Sequence, residues 1–260
     1  MSLPDAERLS SYIAARKTLL SPVNYDFARR MFEGGIAKYE QRLRQIGFDK
    51  HARVLDAGCG MGQWAIALSS MCERVTATDI QEGRVFLLDG LARELGIGNL
   101  EVQQGSIEEL PFAEGAFDAI FCYGVVFTTQ DWKKAVAEFG RVLRPGGRLY
   151  VNANGFGYYK HVWFTAPNKM TGYDPRKWAG LALYNTWRHE NGLDPVEGPL
   201  HVIEPTALQS ELRERGFDKI VQAAEGEYRE PGYEGPTGTS FYRGDYGGDL
   251  GVYEIVATKR

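Results

Sequence analysis

The sequence has few cysteines and no apolar run long enough for a membrane helix. Its three cysteines, Cys59, Cys72 and Cys122, lack metal-ligand spacing. So small and odd a number suits a reducing cytoplasm rather than a disulfide scaffold. No stretch reaches the roughly 18 apolar residues of a membrane span, and residues 1–8 are polar, unlike a signal peptide. We therefore expect a cytoplasmic protein with no membrane segment and no metal site.

A concentrated positive charge is also missing. The 30 Lys and Arg residues face 34 Asp and Glu residues, for a net charge of −4, and they form no block. Because nucleic-acid binders usually carry a basic face, we expect no nucleic-acid partner. The sequence carries no signal for an oligomeric state. What is abundant is glycine, 31 of 260 residues, and aromatic side chains, 12% of the chain.

Apolar patterning divides the chain into four segments of a single domain. They are an N-terminal helical cap (1–50), a core of alternating strands and helices (51–154), an aromatic-rich insertion (155–204) and the remainder of the core (205–260). In the cap we predict one helix to Leu20 and a second that Asn24 caps and that Gly34-Gly35 can kink. The cap is either a packing appendage or a lid over a ligand site.

The core predicts an α/β fold. Short apolar strands alternate with helices between residues 53 and 153, which favours a parallel sheet covered on both faces. Pro145-Gly146-Gly147 predicts a turn before the fifth strand. Two further strands are predicted near the end of the chain, at 218–227 and 251–259.

A glycine-rich loop follows the first strand. The stretch from Val54 to Gly62 reads VLDAGCGMG, and the loop leads into a helix whose N-terminus offers free N–H groups. Glycines allow a tight turn and a close approach of a ligand to the backbone. The dinucleotide fingerprint G-x-G-x-x-G would need a glycine where Gln63 stands. The loop alone is weak evidence, because a tight turn can require glycine without a ligand.

Two more signals follow the second and third strands. Asp79 ends the second strand, where a carboxylate can accept both ribose hydroxyls of a nucleoside; its alternative role is to cap the next helix. Ser106 follows the third strand, and with Glu109 it also matches a capping box.

With these motifs in this order, the segment from Arg53 to Val151 resembles the class I S-adenosylmethionine-dependent methyltransferases of the small-molecule branch. The resemblance implies a Rossmann-like, doubly wound, seven-stranded mixed sheet with helices on both faces, the last two strands antiparallel. It also implies S-adenosylmethionine as cofactor. The cofactor contacts that it implies are Asp56, Gly58, Cys59, Gly60, Asp79, Ile80, Ser106, Ile107, Cys122 and Tyr123.

The sequence departs from the family pattern at two places. Many members carry Asp where Ser106 stands, and a hydroxyl accepts a hydrogen bond without charge. Members that methylate adenine or amide nitrogens carry an Asp/Asn-Pro-Pro-aromatic motif after the fourth strand. Here Tyr123-Gly124-Val125-Val126 stands instead, which disfavours those acceptors.

The acceptor side is less defined. His161 follows the fifth strand, where catalytic residues of open α/β sheets gather; it is either the catalytic base or a residue of a half-exposed helix. His189 and His201 are weaker candidates. The aromatic residues could wall an apolar pocket or simply pack the insertion, and the predicted acceptor contacts are Phe127, Tyr158, Tyr159 and Trp163.

From these motifs we predict methyl transfer to a small-molecule acceptor, at oxygen before nitrogen or carbon. A cofactor-binding protein without turnover and an NAD-dependent oxidoreductase are the alternatives.

Overall fold

The chain, seen in a computed structural model, divides into two compact units. The structure describes residues 6–165, 174–238, 245–246 and 249–260. The first unit comprises Met1–Ser106, Phe117–Phe121 and Arg229–Thr239, and the second comprises Ile107–Ala116, Cys122–Tyr228 and Ser240–Arg260.

Parallel strands form the centre of the first unit. They are β1 (Arg53–Ala57), β2 (Arg74–Asp79), β3 (Leu100–Gln104) and β4 (Phe117–Cys122). β1 pairs in parallel with β2 and β4, with Leu55 opposite Thr76 and Ile120, and β2 pairs in parallel with β3. Val54 and Leu55 face opposite sides of the sheet, yet both are fully buried. The near-continuous apolar sequence of β1 and β4 follows from this burial on both faces.

Helices surround these strands. They are α1 (Ala6–Ala15), α2 (Pro22–Phe32), α3 (Ala37–Gln45), α4 (Gln63–Ser69) and α5 (Glu82–Leu95). The predicted cap at Asn24 is wrong, because Ser21 caps α2 by accepting a hydrogen bond from the Asn24 N–H, and Pro22 takes the first helical position. Gly34 and Gly35 adopt positive φ angles, so the second predicted helix is broken into α2 and α3 rather than kinked.

The N-terminal helices pack closely on this unit. A Cβ atom at Gly90 of α5 would lie 2.2 Å from the Tyr12 hydroxyl, so glycine lets α1 approach α5. On the other side, the Tyr39 ring of α3 meets the Trp64 ring edge-on at 4.8 Å. The segment 229–238 also binds α3, where the Glu230 N–H donates to the Gln45 carbonyl at 2.8 Å.

The second unit contains the rest of the helices and strands. They are α6 (Trp132–Val142), β5 (Leu143–Asn154), α7 (Phe156–Thr165), α8 (Pro175–Glu190), α9 (Pro205–Glu214), β6 (Phe217–Ala224), β7 (Asp245–Tyr246), β8 (Asp249–Leu250) and β9 (Val252–Lys259). β9 pairs antiparallel with both β5 and β6, as predicted for the last two long strands. Asp131 caps α6 by accepting hydrogen bonds from the N–H groups of Lys133 and Lys134.

The sheet has seven strands in the order β3-β2-β1-β4-β5-β9-β6, so the predicted mixed α/β sheet is confirmed. Pro145, Gly146 and Gly147, where a turn is predicted, fall within the range of β5, but Gly146 has a φ angle of 74°, which is not extended backbone. The pairing of β5 with β9 begins at Arg148. In the part of the chain that the structure describes, no helix is long and apolar enough to cross a membrane.

Candidate functional site

The glycine loop of the first unit turns the chain sharply from β1 into α4. Gly58, Gly60 and Gly62 have φ angles of 82°, 56° and 89°, which side-chain-bearing residues adopt with strain. The N–H groups of Gly58 and Cys59 both donate to the Thr78 carbonyl, at 2.9 and 2.8 Å, and this ties the loop to the end of β2.

The glycines of the loop have different roles. A Cβ atom at Gly62 would lie 2.2 Å from the Leu88 Cδ1 atom, so Gly62 lets α4 start against α5. At Gly60 the nearest atom to such a Cβ would be Cε1 of Phe27, at 4.0 Å. The backbone at Gly60 is therefore open to a ligand, and Phe27 places the cap helix α2 beside the loop.

Asp79 lies at the end of β2 and is 5% exposed. Its Oδ2 atom accepts from the Gly60 N–H at 3.0 Å, and its Oδ1 atom accepts from the Gln81 N–H at 2.9 Å. Arg84 lies 3.5 Å from Oδ2. A carboxylate has about four acceptor sites, so Asp79 retains capacity for ribose hydroxyls. Gln81, not Asp79, occupies the position before α5, and its side chain makes no capping bond.

Asp56, at the end of β1, has a strongly raised pKa. Burial raises its pKa to about 8, the nearby Asp79 charge adds to the rise, and a hydrogen bond from the Ala65 backbone opposes it. Its Oδ2 atom is buried and has no hydrogen-bond partner within the described residues. Such an atom costs stability unless a donor reaches it. The ammonium group of an amino-acid ligand is a donor of the required charge, so this site fits the methionine part of S-adenosylmethionine.

Cys59, Ile80 and Ser106 complete the predicted set in this unit. Cys59 is 2% exposed, and burial, with the charges of Asp56 and Asp79, raises the pKa of its thiol well above the usual range. Cys59 therefore offers no thiolate to a ligand, and its backbone N–H and carbonyl are bonded to Thr78 and Gly62. Ile80 is 66% exposed, unusual for an isoleucine, and presents an apolar surface beside Asp79. The predicted capping box at Ser106 is wrong, because the residues after β3 form a turn and a bridge, not a helix.

The second unit holds Ile107, Cys122 and Tyr123, the remaining predicted cofactor residues. Ile107 and Cys122 are buried. The Tyr123 hydroxyl donates to the buried Glu225 at 2.9 Å, and its ring stacks on Tyr150 with a centroid distance of 6.4 Å. These contacts fix the Tyr123 ring in one orientation.

Sequence reasoning missed a buried polar residue next to Tyr123. Asn152 on β5 is 1% exposed; its Oδ1 atom accepts from the Gly124 N–H at 2.6 Å. Its Nδ2 atom has no hydrogen-bond partner among the described residues. The signal was present in the sequence, because Asn152 and Asn154 interrupt an otherwise apolar strand at alternate positions.

The structure places His161, Tyr158, Tyr159 and Trp163 on α7, and it brings Phe127 and Tyr159 into contact with the backbone of His201. His161 lies on α7, with Nε2 3.1 Å from the Thr165 hydroxyl. Tyr159 is buried and donates to the His201 carbonyl at 3.2 Å, and Tyr158 packs beside it, with a ring centroid distance of 5.2 Å. Trp163 lines a shallow cavity between α7 and α8, and Phe127 lies in the short 3-10 helix that precedes α6.

A cavity lined by aromatic and histidine side chains lies within the second unit. It measures about 800 Å³, and we call it the His201 cavity. Its wall includes Trp132, Phe156, Leu183, Trp187, Ile203 and Leu250, together with the histidines His189 and His201. The histidine rings meet edge-on at 5.2 Å, and His189 Nε2 lies 3.3 Å from the Asp131 carboxylate. His161 is not part of this wall.

Comparison with known proteins gives consistent matches. Residues 55–151 match a family described as "Methyltransferase domain". The chain is 38% identical over 97 residues to "Uncharacterized methyltransferase YcgJ" of Bacillus subtilis (strain 168), covering 37% of this chain and 38% of that protein. It is 28% identical over 145 residues to "Demethylmenaquinone methyltransferase" of Staphylococcus aureus (strain JH9), covering 48% and 59%. The chain thus spans between about two fifths and three fifths of the length of these relatives.

A solved structure agrees with the fold. The crystal structure of a SAM dependent methyltransferase from Aquifex aeolicus matches with a TM-score of 0.54 and 18% identity, covering 95% of this chain and 98% of that one. At this identity the match shows the fold. Residues 55–151, which contain the motifs that follow β1, β2 and β3, are therefore similar to a methyltransferase domain, and the matched structure shares the fold of this chain.

Proposed function

We propose that this protein transfers the methyl group of S-adenosylmethionine to a small-molecule acceptor, at oxygen in the first place. The observation that carries the proposal is the buried Oδ2 atom of Asp56, which has no partner among the described residues, beside the open Gly60 backbone. A ligand with an ammonium group and ribose hydroxyls complements Asp56 and Asp79 at once. The activity of the whole chain is a proposal, since its curated relatives match it over part of their length.

The residues of the first unit have separate tasks in this proposal. Asp56 receives the amino group of the cofactor, the loop from Gly58 to Gly60 lies along its amino-acid part, and Asp79 accepts the ribose hydroxyls. Ile80 and Ser106 are assigned to the adenine. The bound cofactor supplies a methyl group activated by a sulfonium. The protein then has to orient the acceptor and exclude water, and orientation alone can lower the barrier by about 7–11 kcal/mol.

The small-molecule acceptor is supported by the size of the His201 cavity. Ligand cavities for small molecules measure about 300–1,000 Å³, and this one measures about 800 Å³. Phe127, Tyr158, Tyr159 and Trp163 stay proposed acceptor contacts and His161 stays a proposed base, although none of these residues lines the His201 cavity. The rate of methyl transfer in His161→Ala would test the base.

Calorimetric titration with S-adenosylhomocysteine tests the cofactor assignment. Asp79→Ala should weaken binding at least about 10-fold, because the ribose hydroxyls lose their acceptor, a loss of about 1.4 kcal/mol. Asp89→Ala on α5 is the matched control, since Asp89 pairs with Arg93 on the same helix. Unchanged affinity in Asp79→Ala would refute the ribose assignment.

The same titrations separate the alternatives. Tight binding of S-adenosylmethionine without methyl transfer to a broad acceptor panel would favour a binding protein without turnover. Binding of NAD in place of S-adenosylmethionine would indicate an oxidoreductase and refute the proposal.

A further inference from the structure

His201 lines a cavity, and one of its ring nitrogens is buried without a hydrogen-bond partner among the described residues. The residue is 1% exposed and lines the His201 cavity. Its Nε2 atom lies 2.9 Å from the Thr129 carbonyl. Because a carbonyl can only accept, Nε2 carries the proton and Nδ1 carries a lone pair. The Nδ1 atom is buried and has no hydrogen-bond partner within the described part of the chain.

The ring of His201 is held in place from several sides. Its backbone N–H donates to the Phe127 carbonyl at 2.8 Å, and its own carbonyl accepts from the Tyr159 hydroxyl at 3.2 Å. The His189 ring packs against it edge-on. The Nδ1 atom therefore cannot reach a partner by a simple rotation of the side chain without giving up the bond to Thr129.

The charge state of His201 narrows the choice of ligand. Burial lowers the pKa of His201 below the ordinary value, and the charge of a protonated His189 lowers it further. Hydrogen bonds to the Thr129 and Gln130 carbonyls raise it, but they do not outweigh burial. His201 is thus uncharged at neutral pH. An uncharged imidazole can accept a hydrogen bond from a neutral hydroxyl, but it offers no counter-charge to an anionic ligand.

The charged residues around the cavity have partners of their own or face solvent. Glu204 accepts a hydrogen bond from the Phe156 N–H at 3.0 Å, and Asp249 pairs with Lys160. Lys133 and Glu190 are exposed at the rim. The rest of the wall is largely apolar and aromatic. A protonated amine would therefore meet paired or solvated carboxylates, whereas an apolar body with one hydroxyl matches both the wall and Nδ1.

We propose that the His201 cavity binds an uncharged small molecule with an apolar body and one hydroxyl group, whose O–H donates to Nδ1 of His201. His201 then determines specificity by selecting a hydroxyl over its ether. Binding of this molecule does not depend on the proposed function. Only its role as the methyl acceptor rests on that function. If the hydroxyl oxygen took the methyl group of S-adenosylmethionine, the S–CH3 bond would break, an O–CH3 bond would form, and the hydroxyl proton would leave to solvent. The resulting ether could not donate to Nδ1, which would favour its release.

The test compares 2-naphthol with 2-methoxynaphthalene by isothermal calorimetry at pH 7, without cofactor. These probes differ in the one hydrogen that Nδ1 would accept. The intact protein should bind 2-naphthol at least about 10-fold more tightly, in line with the cost of leaving a buried acceptor unsatisfied. His201→Phe should bring both probes to the weaker affinity. His51→Phe, the same exchange in the first unit and outside the cavity wall, should leave the preference intact.

A second variant and a spectroscopic measurement keep the result independent of folding defects in His201→Phe. Leu183→Trp fills the cavity from a partly exposed position and should weaken binding of both probes. In long-range ¹H–¹⁵N NMR of the intact protein, 2-naphthol should shift the His201 Nδ1 resonance and 2-methoxynaphthalene should not.

Equal affinity for the two probes, or an Nδ1 resonance that 2-naphthol leaves unmoved, would overturn the proposal and indicate that Nδ1 binds water alone. If the intact protein prefers 2-naphthol to 2-methoxynaphthalene but does not bind S-adenosylhomocysteine, the proposed function is refuted and the binding proposal is not.

Discussion

Replacing Asp56 with asparagine should make the protein more resistant to unfolding as the pH rises. In the folded protein the pKa of Asp56 is about 8, chiefly because the side chain is fully buried; in the unfolded chain it returns to about 4. Between these values the folded state holds a proton that the unfolded state has lost. The free energy of unfolding therefore falls as pH rises through this window, and it stays low above pH 8. The asparagine side chain of the variant does not titrate.

The size of the effect follows from the span of the two pKa values. Each pKa unit corresponds to about 1.36 kcal/mol, so four units set an upper limit of about 5 kcal/mol. Urea unfolding of both proteins between pH 4.5 and 8.5 measures it. The difference in free energy of unfolding, Asp56→Asn minus the natural chain, should increase steadily by several kcal/mol toward that limit.

Asp89→Asn is the control for this experiment. Asp89 lies on the surface of α5, 2.7 Å from Arg93, and surface ion pairs contribute about 0–1 kcal/mol. Its unfolding free energy should stay close to that of the natural chain at every pH. A pH-independent difference for Asp56→Asn would mean that Asp56 is ionised in the folded protein, and the burial argument would fail.

Further predictions concern the cofactor, the glycine loop and the insertion. Binding of S-adenosylhomocysteine at pH 7 should release up to one proton, because the ammonium group of the ligand favours the ionised form of Asp56. Calorimetry in buffers of different ionisation enthalpy detects this proton release, and Asp56→Asn should abolish the release. Gly62→Ala should lower the free energy of unfolding by about 1–3 kcal/mol through the Leu88 clash, whereas Gly83→Ala, with open space around it, should not. Asn185→Ala should lower the free energy of unfolding by about 1–3 kcal/mol in urea, because the buried Asn185 amide loses its hydrogen bonds to the Val196 and Gly198 carbonyls and from the Val196 N–H.

The first unit is largely readable from sequence because its signals are local. Strand β1 is a short apolar run, the glycines follow it directly, and Asp79 stands at the end of the next strand. Each of these depends on neighbours in the chain. The glycine loop and the carboxylate of Asp79 could thus be assigned from the sequence alone. The raised pKa of Asp56 could not, since it results from burial and from the charge of Asp79, 23 positions away.

Helix α8 of the insertion is difficult to predict from the sequence for a different reason. The buried residues of α8 include Pro175, Ala179, Ala182 and Asn185, all small or polar. The large apolar residues Leu183, Tyr184 and Trp187 are instead partly exposed. A search for large apolar residues at helical spacing therefore finds the wrong face. Two of these partly exposed residues, Leu183 and Trp187, line the His201 cavity, because they do not pack into the core.

The two units use buried polar atoms in opposite ways. In the first, burial and the Asp79 charge keep Asp56 protonated, and an incoming cation is needed to draw the proton off. In the second, burial keeps His201 uncharged with its lone pair unused. The ammonium group of a ligand would ionise Asp56, whereas the hydroxyl group of a ligand would leave His201 uncharged. Cofactor binding should therefore vary with pH near neutrality, and hydroxyl binding at His201 should not, until acidification protonates the imidazole.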